Sequence, residues 1–180
     1  MLNRRLSKIV VFASALLLIT ACAHHTGGHH ISQNISQLEI NNLSHPEHNV
    51  YASGQPTKAQ FDALAKSGIK HVINLRPAAE LDWNEAEYVE ALGMAYHSIP
   101  VAGAADVTVE NATKLAKLLG ETGIDKTLVH CSSSNRVGAL VALSENVING
   151  KTAEESITKG KRWGLLSLEP TVRERISDRQ

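Results

Sequence analysis

Lys126-Thr127-Leu128-Val129-His130-Cys131-Ser132-Ser133-Ser134-Asn135-Arg136-Val137-Gly138-Ala139-Leu140 is the stretch that decides the fold. A β-prone apolar run delivers a cysteine onto a short polar loop, and an arginine then opens an apolar-periodic helix. Strand, loop and helix N-terminus in that order form an anion cradle, because loop N–H groups and the positive end of the helix dipole attract a phosphate or other oxyanion. The same groups favour thiolate over thiol at Cys131. Arg136 adds a planar fork able to hold two oxygens at once. Nucleophile and anion clamp thus share one loop, in which Ser132, Ser133, Ser134, Asn135 and Arg136 are the phosphate-binding candidates. If Cys131 merely closed a buried strand and Arg136 solvated a helix start, the run of small polar residues between them would have no purpose. Gly138, one turn into the helix, marks a point where a strand can approach closely.

Outward from this loop, strands and helices alternate from Val50 onward. Val50 to Ala52 reads as a strand, followed by the turn Ser53-Gly54-Gln55-Pro56. Thr57 with Gln60 forms a capping box for a helix with Phe61, Leu64 and Ala65 on its apolar face, ending at Gly68. Ile69 to Leu75 is a strand closed by Arg76-Pro77, Asp82 with Glu85 caps a helix to Gly93, and Met94 to Ile99 is a strand ending at Pro100. Thr108 caps the next helix, the helix behind Arg136 buries Leu140, Val141, Val147 and Ile148, Thr152 with Glu155 caps another, and a short one follows Pro170. This alternation predicts an α/β fold with a mainly parallel central sheet flanked by helices, whose ligand crevice lies beyond the strand C-termini. Cys131 sits at such an end.

The first residues belong to a different signal. Arg4, Arg5 and Lys8 precede the apolar Ile9 to Ile19, which is too short to span a bilayer, and Leu18-Ile19-Thr20-Ala21-Cys22 reads as a bacterial lipobox. Residues 1–21 are expected to be a lipoprotein signal peptide and Cys22 the lipidated residue. Ala23 after it points to the periplasm-facing outer membrane of a Gram-negative bacterium, with the lipid as the membrane partner. Residues 22–46, rich in His, Ser and Asn, read as a flexible tether that could reach roughly 70 Å when extended, and 47–180 as the α/β domain. His24, His25, His29 and His30 could chelate a divalent metal, but with no ordered supporting groups around them they read first as tether polarity. Three of the 18 Lys and Arg and none of the 18 Asp and Glu lie in the signal, so the remainder carries −3, and no basic patch speaks for nucleic acid. With Cys22 acylated, Cys131 has no disulfide partner, and a lone exported thiol points to chemistry.

From about Val50 to Trp163 the chain resembles the tyrosine- and dual-specificity-phosphatase-like family, whose domain is also attached to β-lactamase-like hydrolases. The residues that carry the resemblance are Tyr51-Ala52-Ser53-Gly54-Gln55-Pro56, Ile73-Asn74-Leu75-Arg76-Pro77, Ile99-Pro100-Val101 and His130-Cys131 through Arg136-Val137-Gly138. The resemblance implies a cysteine-phosphatase-like three-layer sandwich, with no cofactor and no metal. It also implies that Cys131 attacks phosphorus to give a cysteinyl-phosphate, that Arg136 holds the phosphoryl oxygens and that a carboxylic acid protonates the leaving oxygen. Phosphorylated protein or a small phosphate ester would be the substrate. In such phosphatases the acid follows a strand ending like Pro100, which makes Asp106 the candidate, with Glu80 or Glu85 as alternatives. Arg76 would be a second anion contact, and His130 would orient the loop through backbone hydrogen bonds.

Three departures bear on activity. Tyrosine phosphatases usually place one residue more between cysteine and arginine, and the shorter loop also resembles rhodanese-type sulfurtransferases, whose cysteine carries a persulfide. Ser134 stands where glycine is common, and Val137 stands where a Ser or Thr often assists thiolate departure. A sulfurtransferase or persulfide carrier, and an anion-binding module with weak turnover, are therefore the alternative functions.

Overall fold

The structure, a computed structural model, describes residues 34–179. Its strands β1 (Ser44–Glu47), β2 (Val50–Ser53), β3 (His71–Asn74), β4 (Ala95–Ser98) and β5 (Thr127–His130) form one sheet in the order β1-β2-β5-β3-β4. β2, β5, β3 and β4 are parallel, and β1 pairs antiparallel with β2. Parallel neighbours need long crossovers, which α1 (Lys58–Lys66), α2 (Glu85–Ala91) and α3 (Val109–Thr122) supply, and α4 (Asn135–Asn149), α5 (Ala153–Arg162) and α6 (Glu169–Ser177) follow β5. The architecture is thus the α/β class with a mainly parallel sheet. Strand β1 is not announced by its residues Ser-His-Pro-Glu, which lack apolar alternation and carry a proline tolerated only at a sheet edge.

All four residues of the central strand β5 are buried, as expected where helices cover both faces. Alternation along the strands sorts the core. Ala52, Ile73, Val129 and Cys131 pack with Ala112 and Leu115 of α3, α4 and Ile157 of α5, whereas Val72 and Leu128 pack with Phe61 and Leu64 of α1 and Val89 of α2. His130 falls on that second face, its ring centroid 5.8 Å from that of Phe61. The capping boxes at Thr57 and Thr152 form. The one at Asp82 does not: Asn84 caps α2 by accepting from Glu87 N–H, which leaves Glu85 free to turn inward.

Gly138 serves a different neighbour from the expected strand. A Cβ there would lie 2.6 Å from Gly160 O, and one on Gly160 would lie 2.7 Å from Ala142 Cβ, so the pair lets α4 and α5 pack backbone to backbone. The end of α4 also differs from expectation, with Ile148 51% exposed.

The described part of the tether expected over 22–46 is not a tether. Ile35 and Ile40 are buried against α1 and its neighbours, worth about 1.5–3 kcal/mol each. Asn41 O also accepts from Gly54 N–H at 2.7 Å. Residues 34–46 are therefore part of the folded domain. The signal peptide, Cys22 and the four tether histidines lie outside the described residues.

Candidate active site

Cys131 directly follows β5 at the C-terminal end of the sheet and is fully buried. The loop after it leans on the turn that follows β2. Ser132 O accepts from Gln55 N–H at 3.3 Å, Ser133 O accepts from Asn42 Nδ2 at 3.0 Å, and Gly54 forms a bridge with Ser133. Only glycine fits at position 54, since a Cβ would lie 2.8 Å from Ser132 O. A planar peptide points its C=O and N–H in opposite directions, so anchoring Ser132 O on the turn points the N–H of Ser133 away from it. The N–H groups of Ser132, Ser133, Asn135, Arg136 and Val137 donate to no acceptor among the described residues. They open a 15-residue helix, α4, and that combination suits an oxyanion.

The loop's side chains do other work. Ser134 adopts φ +66°, a left-handed conformation that costs a residue with a Cβ about 1–2 kcal/mol, and its Oγ donates to Trp163 O at 2.9 Å. Asn135 Oδ1 accepts from Leu166 N–H at 2.8 Å, while its Nδ2 donates to Ser167 Oγ at 2.8 Å. Ser134 and Asn135 thus tie the cradle to the α5–α6 connection, and of the two only Asn135 keeps a backbone N–H for an anion.

Arg136 is held from two sides. Nη1 donates to Val101 O at 2.7 Å and Nη2 to Glu80 Oε2 at 2.8 Å, with Ser132 Oγ at 3.3 Å from Nη2. Its Nε–H has no acceptor among the described residues and is available to an anion, while Nη2 beside it already serves Glu80 and Ser132. Arg76 is not available in this way. Its Nε donates to Glu80 Oε2 at 3.2 Å, its Nη1 to Gln55 Oε1 at 2.7 Å and its Nη2 to Glu80 O. The hydrogen bond from Arg136 holds the Glu80 carboxyl below its ordinary range against the opposing effect of burial, with Arg76 adding to the depression.

Behind this pair lies a second carboxylate. Glu85 is buried, with Oε2 accepting from Gln55 Nε2 and Oε1 accepting from Tyr96 OH at 3.0 Å. His130 Nε2 is also 3.0 Å from Glu85 Oε1, without the alignment of a hydrogen bond. Burial alone would raise the Glu85 carboxyl, but His130, Gln55 and Tyr96 outweigh it and hold the group low. His130 therefore meets a carboxylate instead of the backbone acceptors expected for it. Neither Glu80 nor Glu85 is suited to release a proton near neutrality.

Asp106 occupies the loop after Pro100, the loop that Val101 O joins to Arg136. Its Oδ2 accepts from Ala102 N–H at 2.7 Å, while Thr108 caps α3. A cavity of about 280 Å³ adjoins the network, lined in part by Asn74, Arg76, Trp83, Glu85, Tyr96 and Ser98. Among the described residues no group of three or more His, Cys, Asp or Glu side chains could hold a metal ion. The structure thus brings Cys131, its loop, Arg136 and the Asp106 loop to one end of the sheet. Gln55, Glu80 and Glu85, in roles the sequence did not assign them, complete the surroundings. Only the Arg76–Glu80 spacing of four residues hinted at the first ion pair.

Comparison with known proteins fits this geometry. A structure from Neisseria meningitidis, named provisionally as a phosphatase, aligns with TM-score 0.62 and 25% identity over 76% of this chain and 97% of that one. A similarly named DUF442 structure from Shewanella putrefaciens CN-32 gives 0.60 and 24% over 78% and 94%. The fold is phosphatase-like. A β-lactamase hydrolase-like protein of Xylella fastidiosa is 36% identical over 110 residues, 58% of this chain but 25% of that protein, so the match spans about a quarter of the relative's length. No protein-family model matches the chain.

Proposed function

We propose that this protein is a cysteine-dependent phosphatase for phosphate monoesters, phosphotyrosine, phosphoserine or small phosphoesters, held at the periplasmic face of the outer membrane by a lipid on Cys22. The observation that carries the reading is the set of unpaired N–H groups after Cys131, with the unpaired Nε–H of Arg136. In this reading the Cys131 thiolate forms the S–P bond as the P–O bond to the leaving group breaks, and the leaving oxygen takes a proton from Asp106. The cradle N–H groups and Arg136 spread the developing charge over fixed donors. Water then attacks phosphorus, the S–P bond breaks, and inorganic phosphate departs with the thiolate restored. Glu80 and Val101 O act by orienting the arginine.

Two observations favour slow turnover, or an anion-binding module, as the second reading. Cys131 has no exposed surface, so the rim of the cradle must yield before phosphorus reaches sulfur. Val137 also provides no hydroxyl to assist the leaving thiolate. Purified protein assayed with an aryl phosphate, with Cys131→Ser as the control, tests the proposal. Turnover that disappears in the serine variant supports it. Equal rates in both overturn the cysteine mechanism, and phosphate-analogue binding without turnover favours the second reading. Cyanide-dependent sulfur transfer from thiosulfate would instead favour a sulfurtransferase.

A further inference from the structure

Away from the cradle, the start of α1 and the segment around the start of α2 form an aromatic corner that the mechanism above does not use. The rings of Trp83 and Tyr88 meet edge to face, with centroids 5.5 Å apart and planes at 82°. Lys58 Nζ lies over both, 5.0 Å from the Trp83 centroid and 5.3 Å from that of Tyr88. A pocket of about 360 Å³ opens there, lined by these three residues with Asn84, Glu87 and Ala91. The corner is preformed. Trp83 packs edge to face on the buried Phe61, with centroids 6.1 Å apart, and Tyr88 OH donates to Asp62 Oδ1 at 2.8 Å. Trp83 and Asn84 also line the cavity beside Arg76, so the pocket adjoins the candidate active site.

We propose that this corner is a binding site for a quaternary ammonium group of the choline type, whose place the Lys58 ammonium holds. Ring faces carry negative charge and attract a cation, so what suits the corner is already shown by the lysine in it. Nothing else keeps Lys58 there. Among the described residues its ammonium makes no ion pair and no hydrogen bond, and as the first residue of α1 it stands at the end of the helix dipole that repels a cation. The charge around the rings favours a second cation. Glu87 lines the pocket and Asp62 accepts from Tyr88, and neither carboxylate pairs with a cation among the described residues. Displacing the lysine is easy, because Asp62 lies four residues on in α1 and so is a neighbour on the helix surface that can receive the ammonium. A quaternary ammonium competes well with it. The lysine head is compact and strongly hydrated, whereas methylated nitrogen holds water weakly and packs its methyl groups on the rings.

The test needs no turnover and stands apart from the phosphatase reading. Choline chloride is titrated into the full-length protein at constant ionic strength. Tryptophan fluorescence is read as the difference from Trp83→Leu, which cancels the buried Trp163. A saturable change is expected. Tyr88→Leu should weaken binding roughly 2- to 30-fold, the span of one ring's contribution. Lys58→Met, which removes the competing ammonium, should tighten it. Ammonium chloride should give a much weaker response than choline, because it is held more firmly by water. A change that does not saturate, an equal response to ammonium chloride, or an unchanged Kd in Tyr88→Leu overturns the proposal, and so does weaker binding in Lys58→Met. Should Trp83→Leu fail to fold, the total fluorescence of Tyr88→Leu against wild type decides by the same criteria. Dihexanoyl phosphatidylcholine below its micelle concentration carries the same group on a lipid: tighter binding than choline assigns the site to a lipid headgroup, weaker binding to a soluble ligand.

Discussion

Three glycine-to-alanine substitutions separate backbone strain from steric conflict next to the cradle. Gly164 has φ +95°, and a Cβ built there would meet Ser134 Cβ at 2.6 Å and Ser134 Oγ at 2.7 Å. Gly93 has φ +79° with nothing within 4 Å, and Gly103, at φ −178°, has neither difficulty. Left-handed backbone costs an alanine about 1–2 kcal/mol, and the stiffer unfolded chain returns about 0.4–1 kcal/mol. Gly93→Ala should therefore lose about 1 kcal/mol. Gly164→Ala adds overpacking of about 1–3 kcal/mol, for a total near 2–4 kcal/mol, or roughly 6–12 °C in Tm for a domain of this size. Gly103→Ala should stay within about 0.5 kcal/mol of wild type. Urea unfolding followed by circular dichroism measures all three. Because the clash falls on Ser134, Gly164→Ala should also weaken phosphate-analogue binding, whereas Gly93→Ala should leave it alone. Equal losses at positions 93 and 164, or a neutral Gly164→Ala, would refute the claim that the α5–α6 connection buttresses the loop.

Glu80→Gln should lower kcat/KM on an aryl phosphate by about 10- to 100-fold, the worth of one charge-assisted hydrogen bond, and an unchanged value would remove Glu80 from the orientation of Arg136. Because the Glu80 carboxyl is depressed in the fold, its contribution to stability is full above its ordinary value of 4.5 and is lost as pH falls through the lower folded value; Glu80→Gln should flatten the acid side of the stability–pH curve, and identical curves would contradict the ion pairs with Arg76 and Arg136. Asp106→Asn should slow an alkyl phosphate much more than an aryl one, since a phenolate leaves with little proton donation, and equal losses would assign protonation to another group or to solvent. Cys22→Ser should move the protein from the membrane pellet to the soluble fraction with kcat/KM unchanged, and a variant that stays in the pellet would discard the lipid anchor.

Local chemistry in the sequence was enough for the parallel α/β plan and for the cysteine–arginine loop. Helix caps such as Thr57 with Gln60 and Thr152 with Glu155 act over three residues, and the strand, loop and helix around Cys131 lie within one short stretch. Ser134, which stands where the resembling family commonly has glycine, is found at φ +66°. What only the tertiary structure decided is which distant groups meet. Glu80 reaches Arg136 across 56 residues and Gln55 reaches Glu85 across 30, because the order β1-β2-β5-β3-β4 brings the ends of β2, β3 and β5 side by side. The packing of Ile35 and Ile40 against the α1 face was hidden likewise: a segment without periodicity reads as tether until the surface that receives it exists. Hydrophobic period and capping are properties of neighbours in the chain, whereas ion pairs and burial depend on neighbours in space that no local pattern encodes.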